Sequence, residues 1–331
     1  MMTLPTRISY GIMVAMLVLI GWLHLSTLVL TTLFGFFALH FFSFGKSKTL
    51  GVVLYIIAVV AVGYGLFYFS RAAYKQFPEI AEKTIPAVVA FAEEKNVDLP
   101  FTDYASLKTL AITEAKEQVA NYGRYVRTAA FQIALLFVGL VVAASMFLSA
   151  QWGTEEDIRS VPDSLYATVV SELSQRVRSF YRSFSRVIGA QIVISFINTG
   201  LTAIFLVWNG FAYTTVLLAL TFLCGLLPII GNLISNTLIV GVAFTISPRM
   251  ALISLIYLVV IHKLEYFLNS KIVGDRIKNP MWLTLLGIVI GEKLMGIPGM
   301  ILAPVVLHYI KVEASKNKVT ARGVEATTGK D

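Results

Sequence analysis

Residues 213–246 read YTTVLLALTFLCGLLPIIGNLISNTLIVGVAFTI, and residues 281–310 read MWLTLLGIVIGEKLMGIPGMILAPVVLHYI. The first run carries no charged residue, and each run is interrupted near its middle by proline and glycine. Proline lacks the backbone N–H that a helix interior needs, and glycine adopts conformations that are closed to other residues. Each run therefore predicts two apolar helical arms around a break, or alternatively a kinked or tightly turned helix. The predicted break residues are Pro228, Gly231, Gly296, Pro298 and Gly299.

The composition of the chain indicates an integral membrane protein. Of its 331 residues, 57% are hydrophobic and 14% are charged, and the mean hydropathy is +0.77, whereas soluble chains carry about 25% charged residues. The single cysteine, Cys224, excludes an internal disulfide and a Cys-based zinc module, and the four histidines show no metal-ligand spacing. A Walker-type phosphate-binding loop is also missing from the sequence. We expect no enzymatic activity and no cofactor, apart from Na⁺ or H⁺ as a coupling ion.

Other apolar stretches are long enough to cross a bilayer, which takes about 20 mostly apolar residues. They predict an all-α, polytopic membrane protein with about eight transmembrane helices, including two oppositely oriented hairpins in the C-terminal half. Pro78, Pro86 and Pro100 predict that the polar segment after the third span is divided into short helices. The predicted organisation is an N-terminal scaffold of transmembrane helices (1–70), a polar helical extracytoplasmic insertion (71–127), a transmembrane helix (128–150), a cytoplasmic amphipathic helix (151–188), a transport-type transmembrane region with hairpins 213–246 and 281–310 (189–312), and a flexible cytoplasmic tail (313–331).

The distribution of basic residues predicts the orientation in the membrane. With both termini in the cytoplasm, the segments on that side carry 17 lysines and arginines, against 9 in the segments on the other side, in line with the basic excess of cytoplasmic loops. Hairpin 213–246 then enters from outside and hairpin 281–310 from the cytoplasm, an arrangement from which many secondary transporters build a site near the membrane midplane. The net charge of +8 is thus a topology signal. The expected partner is the lipid bilayer, and no nucleic-acid partner is expected.

Polar side chains recur on two apolar helices at spacings of three or four residues, which puts each set on one helical face. A polar face within a membrane contacts protein or a water path, since lipid offers it no hydrogen bond. We predict that the two faces bind a small polar solute or a monovalent cation. The alternative is hydrogen bonding between helices, worth about 0.6 kcal/mol per bond. The predicted substrate-binding residues are Asn232, Ser235 and Asn236 after the first break, and Gln191 and Asn198 in the preceding span, where Ser195 and Thr202 complete the stripe.

Two carboxylates are predicted to couple transport to an ion or a proton. An ionisable group at membrane depth is costly unless it faces water or a partner, so each one is a candidate functional group. Glu292 lies at the turn of the second hairpin, and the alternative there is internal neutralisation by Lys293. Glu265 lies at the inner end of the span between the hairpins, and the alternative there is an interfacial salt bridge with Lys263 or Lys271.

Three motifs of the C-terminal half resemble the AI-2E (autoinducer-2 exporter-like) family of bacterial membrane proteins. They are Leu227-Pro-Ile-Ile-Gly-Asn232, Phe267-Leu-Asn-Ser-Lys-Ile-Val-Gly274 and Gly296-Ile-Pro-Gly-Met-Ile-Leu-Ala-Pro304. The order of spans and insertions agrees with the family along most of the chain. The resemblance implies a multi-pass transporter of the bacterial cytoplasmic membrane. It also implies assembly as a homo-oligomer and an elevator-like movement of the C-terminal half against the N-terminal scaffold.

The family is linked to export of the signalling molecule autoinducer-2 and, in some members, to Na⁺(Li⁺)/H⁺ antiport. The resemblance therefore implies a secondary transporter that exports a small polar solute of the autoinducer-2 type, with a cation/proton antiporter as the alternative. A non-transporting membrane scaffold, whose polar segments recruit partners, is the alternative from another class. An antiporter needs an essential titratable carboxylate, whereas a facilitated exporter depends on the polar side chains of the first hairpin.

Overall fold

The computed structural model describes residues 3–44, 47–97, 105, 122–149, 164–227, 230–273 and 280–315. Its helices are α1 (Leu4–Trp22), α2 (Ser26–Ser43), α3 (Lys48–Glu94), α4 (Tyr122–Ser149), α5 (Leu165–Trp208), α6 (Thr214–Gly225), α7 (Ile230–Phe244), α8 (Pro248–Val273) and α9 (Met281–Ser315). Parts of the predicted segments 71–127 and 151–188, and most of the predicted tail, lie outside the described residues.

The described helices are those of a membrane protein. Six of them are long and apolar enough to cross a bilayer. Two further apolar helices, Thr214–Gly225 and Gly231–Phe244, are shorter than the roughly 20 residues that a crossing takes. No strand occurs among the described residues. The prediction of an all-α, polytopic membrane protein is confirmed.

Helix α3 runs unbroken from Lys48 to Glu94 through Pro78 and Pro86. The prediction that these prolines divide the segment into short helices was wrong. A proline in a helix interior removes one hydrogen bond and costs about 3 kcal/mol, so tertiary packing has to offset this cost. Ile80, which lies between the two prolines, is buried in the main hydrophobic core with residues of α5, α6, α7 and α8. This packing holds the distal part of α3 in place.

Helix α5 is the element along which the other parts of the fold are arranged. Its 44 residues correspond to about 66 Å at about 1.5 Å per residue. It therefore joins the predicted amphipathic segment to the following span without a break. The Ser164 side chain caps its start by accepting a hydrogen bond from the amide of Ala167. Helices α1, α6, α8 and α9 all pack along it.

The N-terminal helices α2, α3 and α4 share a second hydrophobic core. Phe36 and Leu39 of α2 lie there with Tyr55 of α3 and with Ala143 and Phe147 of α4. Within this group, α2 is the helix that contacts α5 and α9. The N-terminal helices thus form a packed body beside the hairpins.

The first hairpin consists of α6 and α7. Its arms meet at the backbone of Gly231, where a Cβ atom would collide with the carbonyl group of Cys224. Only glycine fits here without moving the arms apart. At the open end of the hairpin, Ile239 and Val242 are buried in the main hydrophobic core. Pro228, the other predicted break residue of this hairpin, lies outside the described residues.

The second hairpin is α9, which reverses its direction at Gly296. The φ of 63° and ψ of −147° at this residue form a combination that is essentially confined to glycine. The arms cross at Gly291 and Gly299, whose backbones approach so closely that neither position has room for a Cβ atom. Pro298 lies at the start of the second arm. Gly296, Pro298 and Gly299 are therefore placed together at the reversal.

The tips of the two hairpins lie at the same level along α5, and the two hairpins reach this level from opposite ends of the helix. At the open end of α9, the ring of Tyr309 packs on that of Phe180, with centroids 5.6 Å apart. Gly296, at the tip, lies about 20 Å from Tyr309 at about 1.5 Å per residue. The tip of the first hairpin contacts Gln191 and Ser195 of α5, which lie about 16–23 Å from Phe180 by the same rise. The two tips thus lie at the same height, with their open ends on opposite sides.

Candidate functional site

Polar side chains of α5 hold the tip of the first hairpin. A helix leaves its last carbonyl groups without intrahelical partners, and α6 ends at Gly225. The side-chain amide of Gln191 donates a hydrogen bond to the carbonyl of Gly225 at 2.6 Å. Ser195 Oγ donates to the carbonyl of Phe222 at 2.8 Å. Gln191, predicted as a substrate-binding residue, is therefore engaged in a hydrogen bond between helices.

Glu265 and Asn232 join α8 to the start of α7. The side-chain amide of Asn232 donates a hydrogen bond to Glu265 Oε2 at 2.5 Å. Asn232 lies in the first turn of α7, and the N-terminus of a helix attracts anionic groups. The half-buried carboxylate of Glu265 is thus held by an amide group at a favourable end of a helix.

A narrow crevice between α5 and α8 contains this carboxylate. It is a partly open gap of about 160 Å³ and is lined by Ile194, Ile197, Asn198, Leu201, Ile261, Leu264, Glu265 and Leu268. Asn198 is 9% exposed, and its Oδ1 has no hydrogen-bond partner among the described residues. A buried acceptor without a partner costs about 1–3 kcal/mol. Asn198 Oδ1 is therefore a position where a solute or a water molecule would be stabilised once α5 and α8 separate, because the closed crevice has no room for a water-sized sphere.

The other two predicted side chains of α7, those of Ser235 and Asn236, do not belong to the hydrogen-bonded pair of Asn232 and Glu265. Ser235 is buried, and its Oγ donates to the carbonyl of Asn232 at 3.3 Å. Asn236 is half-buried and does not line the crevice. Among the predicted substrate-binding residues, Asn198 lies in the crevice together with Glu265. Asn232 contacts Glu265 through its hydrogen bond.

Glu292 lies outside the crevice, at the turn of the second hairpin. Its side chain is 47% exposed and pairs with that of Lys293 at 3.5 Å. Ser26 Oγ donates to the nearby carbonyl of Met295 at 3.3 Å, so this turn lies beside the α1–α2 connection. The two carboxylates predicted to couple transport, Glu265 and Glu292, thus belong to different hairpins and different surroundings.

The sequence analysis did not single out Ser254 and Tyr257 of α8. Both hydroxyl groups are buried. That of Ser254 has no hydrogen-bond partner in the part of the chain that the structure describes, whereas that of Tyr257 lies close to the side chain of Thr202. Ser254, Ile261 and Glu265 recur at helical spacing along the inward face of α8, and Tyr257 lies one turn from Ile261. This helical spacing is visible in the sequence and could have identified the two hydroxyl groups as members of the inward face of α8.

The chemistry of the crevice is that of one carboxylate and neighbouring amide groups. Within the described ranges, no three His, Cys, Asp or Glu side chains lie together as metal ligands. Buried polar groups between apolar helices, in a fold that contains two hairpins of opposite direction, are typical of membrane transporters. The fold and the site therefore place the chain in the class of membrane transporters.

Comparison with known proteins then specifies the family. The model of the AI-2E family transporter matches residues 8–316, so the chain belongs to this family. A Bacillus subtilis (strain 168) protein, named "Putative transport protein YdbI", is 26% identical over 187 residues. This match covers 56% of the chain and 53% of the relative, so it spans about half the length of that protein.

Proposed function

We propose that this chain is a secondary transporter that exports a small polar solute, of the autoinducer-2 type, across the bacterial cytoplasmic membrane. The observation that carries the proposal is the α5–α8 crevice, which combines the unpartnered oxygen of Asn198 with the carboxylate of Glu265. A solute with several hydroxyl groups matches this site, because hydroxyls both donate and accept hydrogen bonds. Membership of the AI-2E family supports transport itself.

The proposed movement is elevator-like. The first hairpin shares the main core with α5, α8 and Ile80 in the distal part of α3, whereas α2, α4 and the first part of α3 share a core of their own. We propose that the first group moves against the second, which serves as the scaffold within a homo-oligomer. The crevice has no room for a water-sized sphere, so binding of a solute requires α5 and α8 to separate locally.

The proposed orientation puts both termini in the cytoplasm, as the distribution of basic residues favours. The open end of the first hairpin then faces the outside, and the open end of the second faces the cytoplasm. In this orientation, Glu265 lies at the inner end of α8 and Pro248 at the outer end.

Na⁺(Li⁺)/H⁺ antiport is a second candidate function, and the environment of Glu265 favours it. A half-buried carboxylate that accepts a hydrogen bond from Asn232 can bind a cation or a proton in turn, because its charge is only partly compensated. In an antiporter this carboxylate is essential. An exporter without ion coupling tolerates glutamine at this position, because the amide keeps an acceptor for Asn232.

Flux in proteoliposomes distinguishes the two functions. Purified protein is reconstituted with an internal pH dye, Na⁺, Li⁺ or K⁺ is added, and efflux of labelled autoinducer-2 is followed in parallel. Antiport predicts cation-dependent proton movement that is lost in Glu265→Gln and kept in Glu292→Gln, the matched change outside the crevice. Solute export predicts efflux that survives Glu265→Gln and falls in Asn198→Leu. Folded protein that carries neither flux would reject both candidates.

A further inference from the structure

We infer that the stacked rings of Phe205 and Tyr257 form the outer gate of the α5–α8 crevice. This inference rests on the proposed transport function and adds a route to it. The two rings are nearly parallel, with an interplanar angle of 4° and centroids 4.0 Å apart. Phe205 lies one turn beyond Leu201 of the crevice lining, and Tyr257 lies one turn beyond Ile261. The crevice between the two helices therefore ends at this ring pair.

The ring pair closes the end of the crevice that points toward the open end of the first hairpin. Leu206 and Leu258, the chain neighbours of the two rings, are buried in the main hydrophobic core together with Ile239 and Val242 of α7. These α7 residues belong to the open end of the hairpin, which faces outside in the proposed orientation. A solute that leaves the crevice outward along the α5–α8 interface therefore meets the rings first.

Two buried hydroxyl groups lie at and beyond the rings. Ser254, about one turn beyond Tyr257 on α8, is 0% exposed. Its Oγ has no hydrogen-bond partner among the described residues, whereas the hydroxyl of Tyr257 lies close to the buried side chain of Thr202 on α5. An unpartnered buried hydroxyl destabilises a purely apolar interface. A polar route past the rings gives the hydroxyl of Ser254 a partner whenever the gate is open.

Aromatic rings are suited to this task because they exclude water when stacked and separate by rotation of their side chains. The terminal torsion of Phe and Tyr is broad, so a ring moves without a change in the backbone. The stack contributes only a modest share of the packing of α5 on α8, so opening and closing remain in equilibrium. The gate therefore predicts that reagent access to the crevice depends on the ring of Tyr257.

Cysteine labelling tests the gate without any flux measurement. Cys224 is the single cysteine of the sequence, so the full chain with Cys224→Ala provides a background without thiols. Leu201→Cys places a thiol in the crevice just inside the rings. Trp208→Cys, at the last residue of α5 and at a position that is 86% exposed, reports on the outer end of the helix. A charged, membrane-impermeant methanethiosulfonate reagent is added to the extracytoplasmic face, and the labelling rate is compared with and without Tyr257→Ala.

We expect the labelling rate at Leu201→Cys to rise about tenfold in Tyr257→Ala, because the loss of an aromatic pair shifts the opening equilibrium by about this factor. The rate at Trp208→Cys should not change. The matched control is Phe222→Ala, which removes a tilted ring pair with Phe196 away from the crevice and should leave labelling slow. Equal rates in Tyr257→Ala and Phe222→Ala would overturn the gate.

A second pair of variants covers a failure of Tyr257→Ala to fold. Phe205→Leu keeps an apolar side chain and should also speed labelling at Leu201→Cys, whereas Tyr257→Phe keeps both rings and should stay slow. Unchanged labelling in protein that carries solute or cation flux would reject the gate alone. Faster labelling in protein that carries neither flux would support the gate and reject the proposed function.

Discussion

Replacing Gln191 by alanine should loosen the tip of the first hairpin. In the native structure the Gln191 amide donates to the carbonyl of Gly225, one of the last acceptors of α6. Alanine removes this donor, and no other side chain of α5 donates to that carbonyl. Ser195 still donates to the carbonyl of Phe222. The expected effect is therefore a local opening of the tip while the rest of the hairpin stays folded.

The magnitude follows from the acceptor that is left behind. Gly225 is buried, so its carbonyl loses a partner without gaining water in exchange. An unsatisfied buried acceptor costs about 1–3 kcal/mol, and a difference of this size changes an equilibrium constant by about 5- to 150-fold. The opening constant of the tip should rise by a factor in this range.

Hydrogen exchange of the α6 amides in lipid nanodiscs measures this opening. In Gln191→Ala, exchange across Phe222–Leu227 should accelerate by that factor, while α2 should exchange as before. Thr221→Val is the matched control, because the Thr221 hydroxyl bonds to the carbonyl of Leu217 within α6 and its loss leaves that carbonyl its helical N–H donor. Equal exchange in Gln191→Ala and the unaltered protein would refute the role of Gln191 as the anchor of the tip.

Three further substitutions test other contacts. Gly231→Ala should lower stability by about 1–3 kcal/mol, because overpacking forces the arms of the first hairpin apart. The control Gly63→Ala, with open space around it, should raise stability by about 0.5–1 kcal/mol. Thermal melting in detergent compares the two variants, and equal melting temperatures would contradict the close crossing of the arms. Asn232→Ala should lower stability by about 1.5–3 kcal/mol, the value of a hydrogen bond to a charged group, and should shift the cation dependence of flux in liposomes. An unchanged cation dependence would show that the Asn232 amide does not belong to the site. Arg176→Gln should cost about 2 kcal/mol more in the presence of the Tyr10 ring than in Tyr10→Leu, because the buried guanidinium lies 4.2 Å from the centroid of that ring and such contacts reach this value when desolvated. Melting of the two single variants and of the double variant checks this, and full additivity would argue against the contact.

The two hairpins were predictable because their signals are local. A charge-free run with glycine at its centre has few ways to fold, and Gly231 and Gly296 lie at a close backbone approach and at a positive φ. The continuity of α3 was not predictable from local signals. The penalty at Pro78 and Pro86 is visible in the sequence, whereas the packing of Ile80 that offsets it depends on distant helices.

The candidate site was predictable only in part, for the same physical reason. Asn198 and Asn232 stand out as amides on apolar helices, because lipid gives them no partner. Their surroundings depend on how α5, α7 and α8 pack, which the periodicity of a single helix does not encode. The bond between Asn232 and Glu265 was therefore beyond the reach of sequence analysis, and so was the stack of Phe205 on Tyr257.

The polar stripe on α5 divides by position into an anchor and a site. Gln191 and Ser195 have their donors occupied by carbonyls of the first hairpin, so a solute that bound there would have to replace both bonds and supply new donors to the carbonyls. Asn198, the next position along the stripe, has an acceptor that no described residue uses, so a solute gains a hydrogen bond there without breaking one. The difference is the cost of an orphaned acceptor, about 1–3 kcal/mol. Solute contacts should therefore concentrate at Asn198 and Glu265, and substitutions at Gln191 should change the stability of the hairpin more than the selectivity of transport.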